Sequence, residues 1–306
     1  MPPAPPPLDP LAAEAWSPLT CQPLALVELS RGEDYPSAPI VIGIDRAGTL
    51  PEVAVHDFAA LVTTCPTAPA PWVSVAPGRL TAQLALIAAN IAAAPLAATT
   101  FARVLRIGEQ LPFAEALAVE SLAYSTLLGG DEFSNWRAAT QRPPLLPTAT
   151  ELVRYDRSGA HVTLTLSAPD TNNAMNAPMR DALWEGLANV LADPSRPDVT
   201  LRAQGRCFST GGALDEFGRA GDLAAAHHIR MARSAALLLH RMGDRARVRL
   251  HGACIGSGIE IPAAAARRIG SADLLVQLPE LRMGLMPGAG PSPLPTATHG
   301  GWLGGA

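Results

Sequence analysis

The sequence contains no lysine, so all 23 residues of the Lys+Arg total are arginine. This excludes a Schiff-base lysine and with it pyridoxal-phosphate and lysine-aldolase chemistry. It also excludes a G-x-x-x-x-G-K-[ST] phosphate loop, an S-x-x-K nucleophile and a kinase-type Lys–Glu pair. Any anionic ligand must be held by arginine, backbone N–H groups or helix N-termini. Charged residues are only 16% and aromatic residues 5% of the chain. The four cysteines, Cys21, Cys65, Cys207 and Cys254, show no C-x-x-C spacing. They read as free thiols of a reducing cytoplasm, with neither a disulfide nor a zinc site. A net charge of −4 and the lack of basic runs argue against a nucleic-acid partner. The first basic residue is Arg31, so no positive region precedes an apolar segment and no secretory signal is expected. The longest uncharged, mostly apolar stretch is Leu80–Ala102. It contains Gln83, Asn90, Thr99 and Thr100 and is interrupted by Pro95, which fits a soluble helix pair better than a membrane span. A cytoplasmic protein without a membrane partner is the expectation.

Alanine is the commonest residue at 56, proline reaches 30, and hydrophobic residues make up 48% of the 306, enough for a sizeable core. At roughly 100–200 residues per domain, this length predicts two domains. The expected organisation is a flexible Pro-rich tail over 1–20, an α/β accessory domain over 21–140, a linker over 141–150, the main α/β domain over 151–290, and a Gly/Pro-rich tail over 291–306. In the first half, Ala38–Asp45, Phe58–Cys65 and Trp72–Val75 read as strands, and Leu80–Ala94, Leu96–Arg106 and Pro112–Leu128 as helices. Glu115, Glu120 and Tyr124 fit a solvated face and a core tyrosine better than a site. Three prolines, Pro143, Pro144 and Pro147, mark the segment Arg137–Thr150 as the linker. Beyond it, Leu152–Arg157 and His161–Leu166 form a hairpin around Ser158-Gly159. Pro178–Leu191 is a helix, Val199–Ala203 a strand, Asp222–Met242 a helix, and Arg247–Leu250 a strand that runs into glycines. Strands alternating with helices predict an α/β class.

Three segments carry candidate chemistry. They are Cys207-Phe-Ser-Thr-Gly-Gly-Ala-Leu-Asp-Glu216, His251-Gly-Ala-Cys-Ile-Gly-Ser-Gly-Ile-Glu-Ile-Pro262, and Leu278-Pro-Glu-Leu-Arg-Met-Gly-Leu-Met-Pro-Gly-Ala-Gly290. Glycines at strand ends let backbone N–H groups approach a ligand, and two such turns can aim two donors at one developing oxyanion. Glu260 and Glu280 form the carboxylate pair that proton transfer at a carbon acid or a water requires. Taken singly, each segment has a plainer reading: Gly256-Ser257-Gly258 as a tight turn, Glu260 as a helix N-terminal carboxylate and Glu280 as a surface residue. Ser257 is no nucleophile elbow, because G-x-S-x-G would need glycines where Ile255 and Ile259 stand. His227-His228 reads as surface and His251 as a structural histidine.

Together, and in this order, the segments resemble the crotonase superfamily, the enoyl-CoA hydratase/isomerase family. The likeness runs from about Leu152 to Gly290 and starts at Ala168-Pro-Asp-Thr-Asn-Asn-Ala-Met-Asn176, which is similar to the family's loop beside the CoA adenine. The resemblance implies a ββα spiral core preceded here by a smaller α/β domain. It implies an acyl-CoA substrate, no metal and no cofactor. The N–H groups of Gly212 and Ser257 would be the two oxyanion donors, with serine in place of the usual glycine. Glu260 would help activate water and Glu280 would exchange a proton with C2 of the acyl chain. Asn173, Ala174, Met175, Gly211, Gly256 and Gly258 would line the bound thioester. Presence of both glutamates favours a hydratase, a hydro-lyase, over family members that keep one. Isomerase, thioesterase, cofactor-free oxygenase and a non-catalytic acyl-CoA- or protein-binding subunit are the alternatives. The sequence departs from the family pattern at Asp170, Thr171 and Ala266, and Arg157, Arg180 or Arg206 must replace the CoA-binding lysines. The family continues with helices that cover the site and build a trimer. Here a tail of small residues follows Gly290, so an altered or truncated end and a partly open acyl pocket are expected, with a homotrimer or another homo-oligomer as the assembly.

Overall fold

Residues 16–20, 22–29, 38–140 and 150–290 are described by the computed structural model. The chain divides into two compact units between Arg106 and Ile107. In the first, β1 (Leu24–Glu28), β2 (Ile40–Asp45), β3 (Ala60–Thr63) and β4 (Trp72–Ser74) form a parallel sheet in that order. All six residues of β2 are buried, as expected for a parallel strand covered on both faces. Val27, Leu29, Val41, Phe58 and Leu61 build the local core. The Asp45 carboxylate at the end of β2 accepts from Leu50 N at 2.9 Å and Thr63 Oγ1 at 2.7 Å, tying the following loop to β3. Helices α1 (Pro77–Ala93) and α2 (Pro95–Gly108) follow, bent by 105° at their junction. Among the described residues no single helix is long and apolar enough to cross a membrane.

The second unit begins with α3 (Phe113–Leu128) and α4 (Asp131–Ala139). Then come β5 (Val153–Ser158) and β6 (His161–Leu166), an antiparallel hairpin, α5 (Ala177–Ala192), β7 (Asp198–Ala203), α6 (Leu223–Ala232), α7 (Ala235–Met242) and β8 (Ala246–Leu250). Strands β9 (Ala253–Ile255), β10 (Arg267–Gly270) and β11 (Leu275–Gln277) frame α8 (Ser257–Ala263). The main sheet has the order β10-β8-β7-β6-β5, and β9 pairs separately with β11. Every pairing except the hairpin is parallel, so each of these connections is a crossover, and α5 to α8 supply the helices. The core lies where α5 and α7 cover the sheet: Leu183, Leu187 and Leu239 meet Val162, Leu164, Leu201 and Val248. Asn176 starts α5 by accepting from Met179 N at 2.9 Å.

Most elements fall where the sequence places them, with four differences. β1, α4, β10 and β11 lack a strong enough sequence pattern to be read. The helix expected over Asp222–Met242 is two helices, because the Ser234 side chain accepts from Leu237 N and starts a new helix after Arg233. Arg137 to Ala139, expected in the linker, finish α4. The division between units precedes the expected boundary at 140, because α3 packs against α6 and α7 and α4 packs against residues 280–283. Residues 141–149 and 291–306, where the linker and the altered C-terminal tail were expected, lie outside the described residues, as does most of the 1–20 tail.

Leu183 is fully buried between α5 and the sheet. Leu183→Ala is therefore expected to lower unfolding stability by about 2–5 kcal/mol, read by urea denaturation.

Candidate active site

Three short backbone segments meet edge to edge at the carboxyl end of the main sheet. Ser209 N donates to Ala253 O at 3.2 Å and Ile255 N to Ser209 O at 3.0 Å, joining the segment after β7 to β9. On the other side, Met175 N donates to Gly211 O at 2.8 Å and Thr210 N to Asn172 O at 3.1 Å. The Ser209 hydroxyl donates to Asn173 O at 2.8 Å and accepts from Gly211 N at 3.1 Å. Gly211 has φ +80°, and a Cβ there would collide with the Ile255 carbonyl oxygen, so only glycine fits between the strands. The turns carrying Gly212 and Ser257 are thus held side by side. Ser257 is the first residue of α8, where the helix offers no acceptor for its N–H.

Glu260, one turn into α8, and Glu280, at the start of a short 3-10 turn over Glu280–Met283, are both buried and hydrogen-bonded to each other. Glu260 Oε2 also accepts from Gly288 N at 2.8 Å and Ala289 N at 2.6 Å. Glu280 Oε2 is buried without a hydrogen-bond partner among the described residues. Gly256 makes room for the pair: with φ +50°, a Cβ at that position would lie 2.6 Å from Glu280 Oε1. Burial raises both carboxyls above the usual carboxylate range. For Glu280 the neighbouring Glu260 charge adds to the rise, whereas the two N–H donors oppose it at Glu260. The pair therefore holds on to a proton at higher pH than separate, exposed carboxyls would.

The carboxyls open into a cavity of about 600 Å³. Gly212, Ser257 and Met175 share its wall with Glu260 and Glu280. The facing wall comes from α3, through Leu117, Ser121, Tyr124 and Leu128, and from α6, through Ile229 and Arg230. Arg230 Nη1 donates to Ser121 Oγ at 2.6 Å and Ser125 Oγ at 3.2 Å, and its guanidinium lies 4.8 Å from the Tyr124 ring centroid. Loss of solvent pushes the Tyr124 phenol well above its ordinary value, so it stays a neutral donor. Arg180 also lines the cavity, ion-paired with Glu216 at 3.1 Å and donating to Met175 O at 2.6 Å.

Residues 161–301 match the family model described as enoyl-CoA hydratase/isomerase. Over these residues the chain is similar to the crotonase superfamily. Among curated relatives, a cyclohexa-1,5-dienecarbonyl-CoA hydratase of Thauera aromatica is 32% identical over 146 residues, covering 47% of this chain and 54% of that protein. A fatty acid oxidation complex subunit alpha of Shewanella sp. (strain W3-18-1) is 30% identical over 137 residues, covering 42% of this chain and 19% of that protein. An enoyl-CoA hydratase structure from Thermoplasma volcanium GSS1 aligns over 45% of this chain and 56% of that one, with 26% identity and a TM-score of 0.41. The chain thus spans about half the length of the first of these relatives and a smaller share of the second.

Within this matched segment, five of the ten residues singled out from sequence line one cavity: Met175, Gly212, Ser257, Glu260 and Glu280. Gly211, Gly256 and Gly258 stand behind that wall as close-packed backbone. Asn173 is buried, with Oδ1 accepting from Ala168 N at 2.9 Å and Nδ2 donating to Gln204 O at 2.8 Å, so its side chain shapes the 168–176 loop, which also carries Ala174. Of the three candidate arginines, Arg157 is committed to Asp193 and Ser195 and Arg206 reaches Asn172 at 3.1 Å. Arg180 alone of the three lines the cavity. His251 bonds Gly205 O at 3.0 Å, a structural contact. Sequence reading missed Tyr124, Ser121 and Arg230. Tyr124 was read as core and α3 as part of another domain, whereas Leu117, Ser121, Tyr124 and Leu128 recur at helical spacing and all face the cavity. His227, read as surface, bonds Ser121 Oγ at 2.9 Å.

Carboxyls that bind protons more tightly when folded make the native state less stable as pH rises, since the folded chain then holds more protons than the unfolded one. Between about pH 5 and pH 8, one extra bound proton costs about 1.4 kcal/mol of stability per pH unit. Urea titrations across this range are expected to show a steeper fall for the native protein than for Glu280→Gln. Parallel slopes would show that no proton is shared.

Proposed function

We propose that the matched segment binds an acyl-CoA thioester and adds water to a 2-enoyl-CoA. The observation that carries this reading is the buried, mutually hydrogen-bonded Glu260–Glu280 pair in the cavity wall that also holds Gly212 and Ser257. The thioester oxygen accepts from the N–H groups of Gly212 and Ser257. Ionised Glu260 takes a proton from water, and the hydroxide forms a bond to C3. The C2–C3 π electrons move toward the thioester, giving an enolate whose charge rests on the two N–H donors. One such donor is typically worth about 2.7–4 kcal/mol in the transition state. Glu280, the protonated partner, then gives its proton to C2. The proton on Glu260 passes across the carboxyl–carboxyl hydrogen bond to Glu280, and the pair returns to its starting state. This route uses the chain, water and the thioester alone, with no cofactor and no metal.

The 168–176 loop serves the adenine end of CoA. Arg206, anchored on Asn172 of that loop, supplies charge for the phosphates, a task that Arg157 cannot share while bound to Asp193. The names of the relatives support the reading, one being a cyclohexa-1,5-dienecarbonyl-CoA hydratase and the other a subunit alpha of a fatty acid oxidation complex.

Hydration removes the double bond conjugated to the thioester, so added crotonyl-CoA should lose its ultraviolet absorbance. Glu280→Gln should slow the rate by about 10²–10⁴-fold, the usual contribution of one acid–base group. A variant with undiminished activity would remove Glu280 from the proton-transfer step.

A further inference from the structure

The reaction described above makes no use of Arg230. Arg230 lines the same space as Glu260 and Glu280. Its Nη1 donates to Ser121 O at 3.1 Å, Ser121 Oγ at 2.6 Å and Ser125 Oγ at 3.2 Å, all uncharged oxygens. Its guanidinium lies over the Tyr124 ring. The same ring is the neighbour of Gly288, where a Cβ would come within 2.5 Å of Tyr124 Cδ2, and Gly288 N donates to Glu260. Tyr124 thus touches both Arg230 and the backbone that holds Glu260.

The surroundings limit what this charge can be for. The other arginines of the cavity wall face carboxylates: Arg180 pairs with Glu216, Arg219 with Asp215, and Arg233 with Asp181 and Glu185. Glu120 attracts Arg230 from α3, and solvent loss lowers the guanidinium pKa. The neighbouring wall is apolar, with Leu117, Leu128 and Ile229. A plain hydrocarbon acyl chain would fill that wall and strip water from Arg230 while offering it no acceptor, which is costly for a cation. A carboxylate on the acyl group would replace the lost water with charge-assisted hydrogen bonds to a planar donor set.

We infer that Arg230, braced by Ser121, Ser125 and Tyr124, selects acyl groups bearing a second carboxylate, so that the preferred ligands are CoA monothioesters of dicarboxylic acids. This rests on the acyl-CoA reading above, and the test separates the two. Saturated thioesters are titrated calorimetrically into the full chain, so that turnover plays no part: glutaryl-CoA against pentanoyl-CoA. Glutaryl-CoA should bind at least about tenfold tighter, the scale of a hydrogen bond to a charged group. In Arg230→Met the ratio should fall to about one, and in Arg230→Lys it should stay in favour of glutaryl-CoA. Equal binding of the two by the native protein overturns the inference and leaves the acyl-CoA reading intact, a result that holds even if the variants fail to fold. Binding of neither thioester overturns both.

Discussion

The cavity depends on a backbone staple. Ser209 hydrogen-bonds the β9 strand through both its N–H and its carbonyl, and its hydroxyl ties Asn173 O to Gly211 N. One residue thus fixes the separation of the 172–176, 209–212 and 253–257 segments. The N–H groups of Gly212 and Ser257 inherit their position from this staple, and main-chain donors held this way need no reorganisation when charge develops in front of them. A side-chain donor in the same place would have to lose rotamer freedom first. The glycines of the motif follow from the same constraint, since strands this close leave no room for a Cβ at Gly211.

The staple also sets the electrostatics. By placing the start of α8 against the 209–212 segment, it directs Glu260 into a buried space already occupied by Glu280. Two carboxyls in contact and away from water do not both ionise at ordinary cost. The two carboxyls differ in their neighbours, because the Gly288 and Ala289 N–H groups donate to Glu260 and favour its charged form.

How far the sequence discloses this follows the range of the interactions. The hairpin, α5 and the glycine turns are set by local patterning, and residues such as Gly159 and Pro178 mark them at short range. The Glu260–Glu280 pair is legible because its twenty-residue spacing travels with the surrounding motifs in a fixed order. What escapes is long-range. Nothing near Tyr124 in the chain announces that it meets Arg230, more than a hundred residues later, and the run Leu117, Ser121, Tyr124, Leu128 has the spacing of any buried helix face. Asn173 fails in the opposite sense. Its motif marks it as a ligand contact, yet three buried backbone groups, Ala168 N, Gln204 O and Cys207 O, take up its amide.

The glycine-rich stretch before Gly290 can be understood only with α3 and α4 in view. Read alone, its glycines suggest a ligand loop. In the fold, a Cβ at Gly284 would fall 2.6 Å from Phe133 N in α4, and one at Gly288 would strike the Tyr124 ring of α3. The stretch is bare because two helices that precede the family segment lie directly on it. That contact fixes the Gly288 N–H against Glu260 and also brings Tyr124 and Arg230 to the cavity. The environment of Glu260 and the character of the cavity wall are consequently coupled through α3. A change in this helix large enough to alter the wall would also shift the donors that favour the charged form of Glu260. The shape of the cavity and the electrostatics of its carboxyls are two effects of one packing interface.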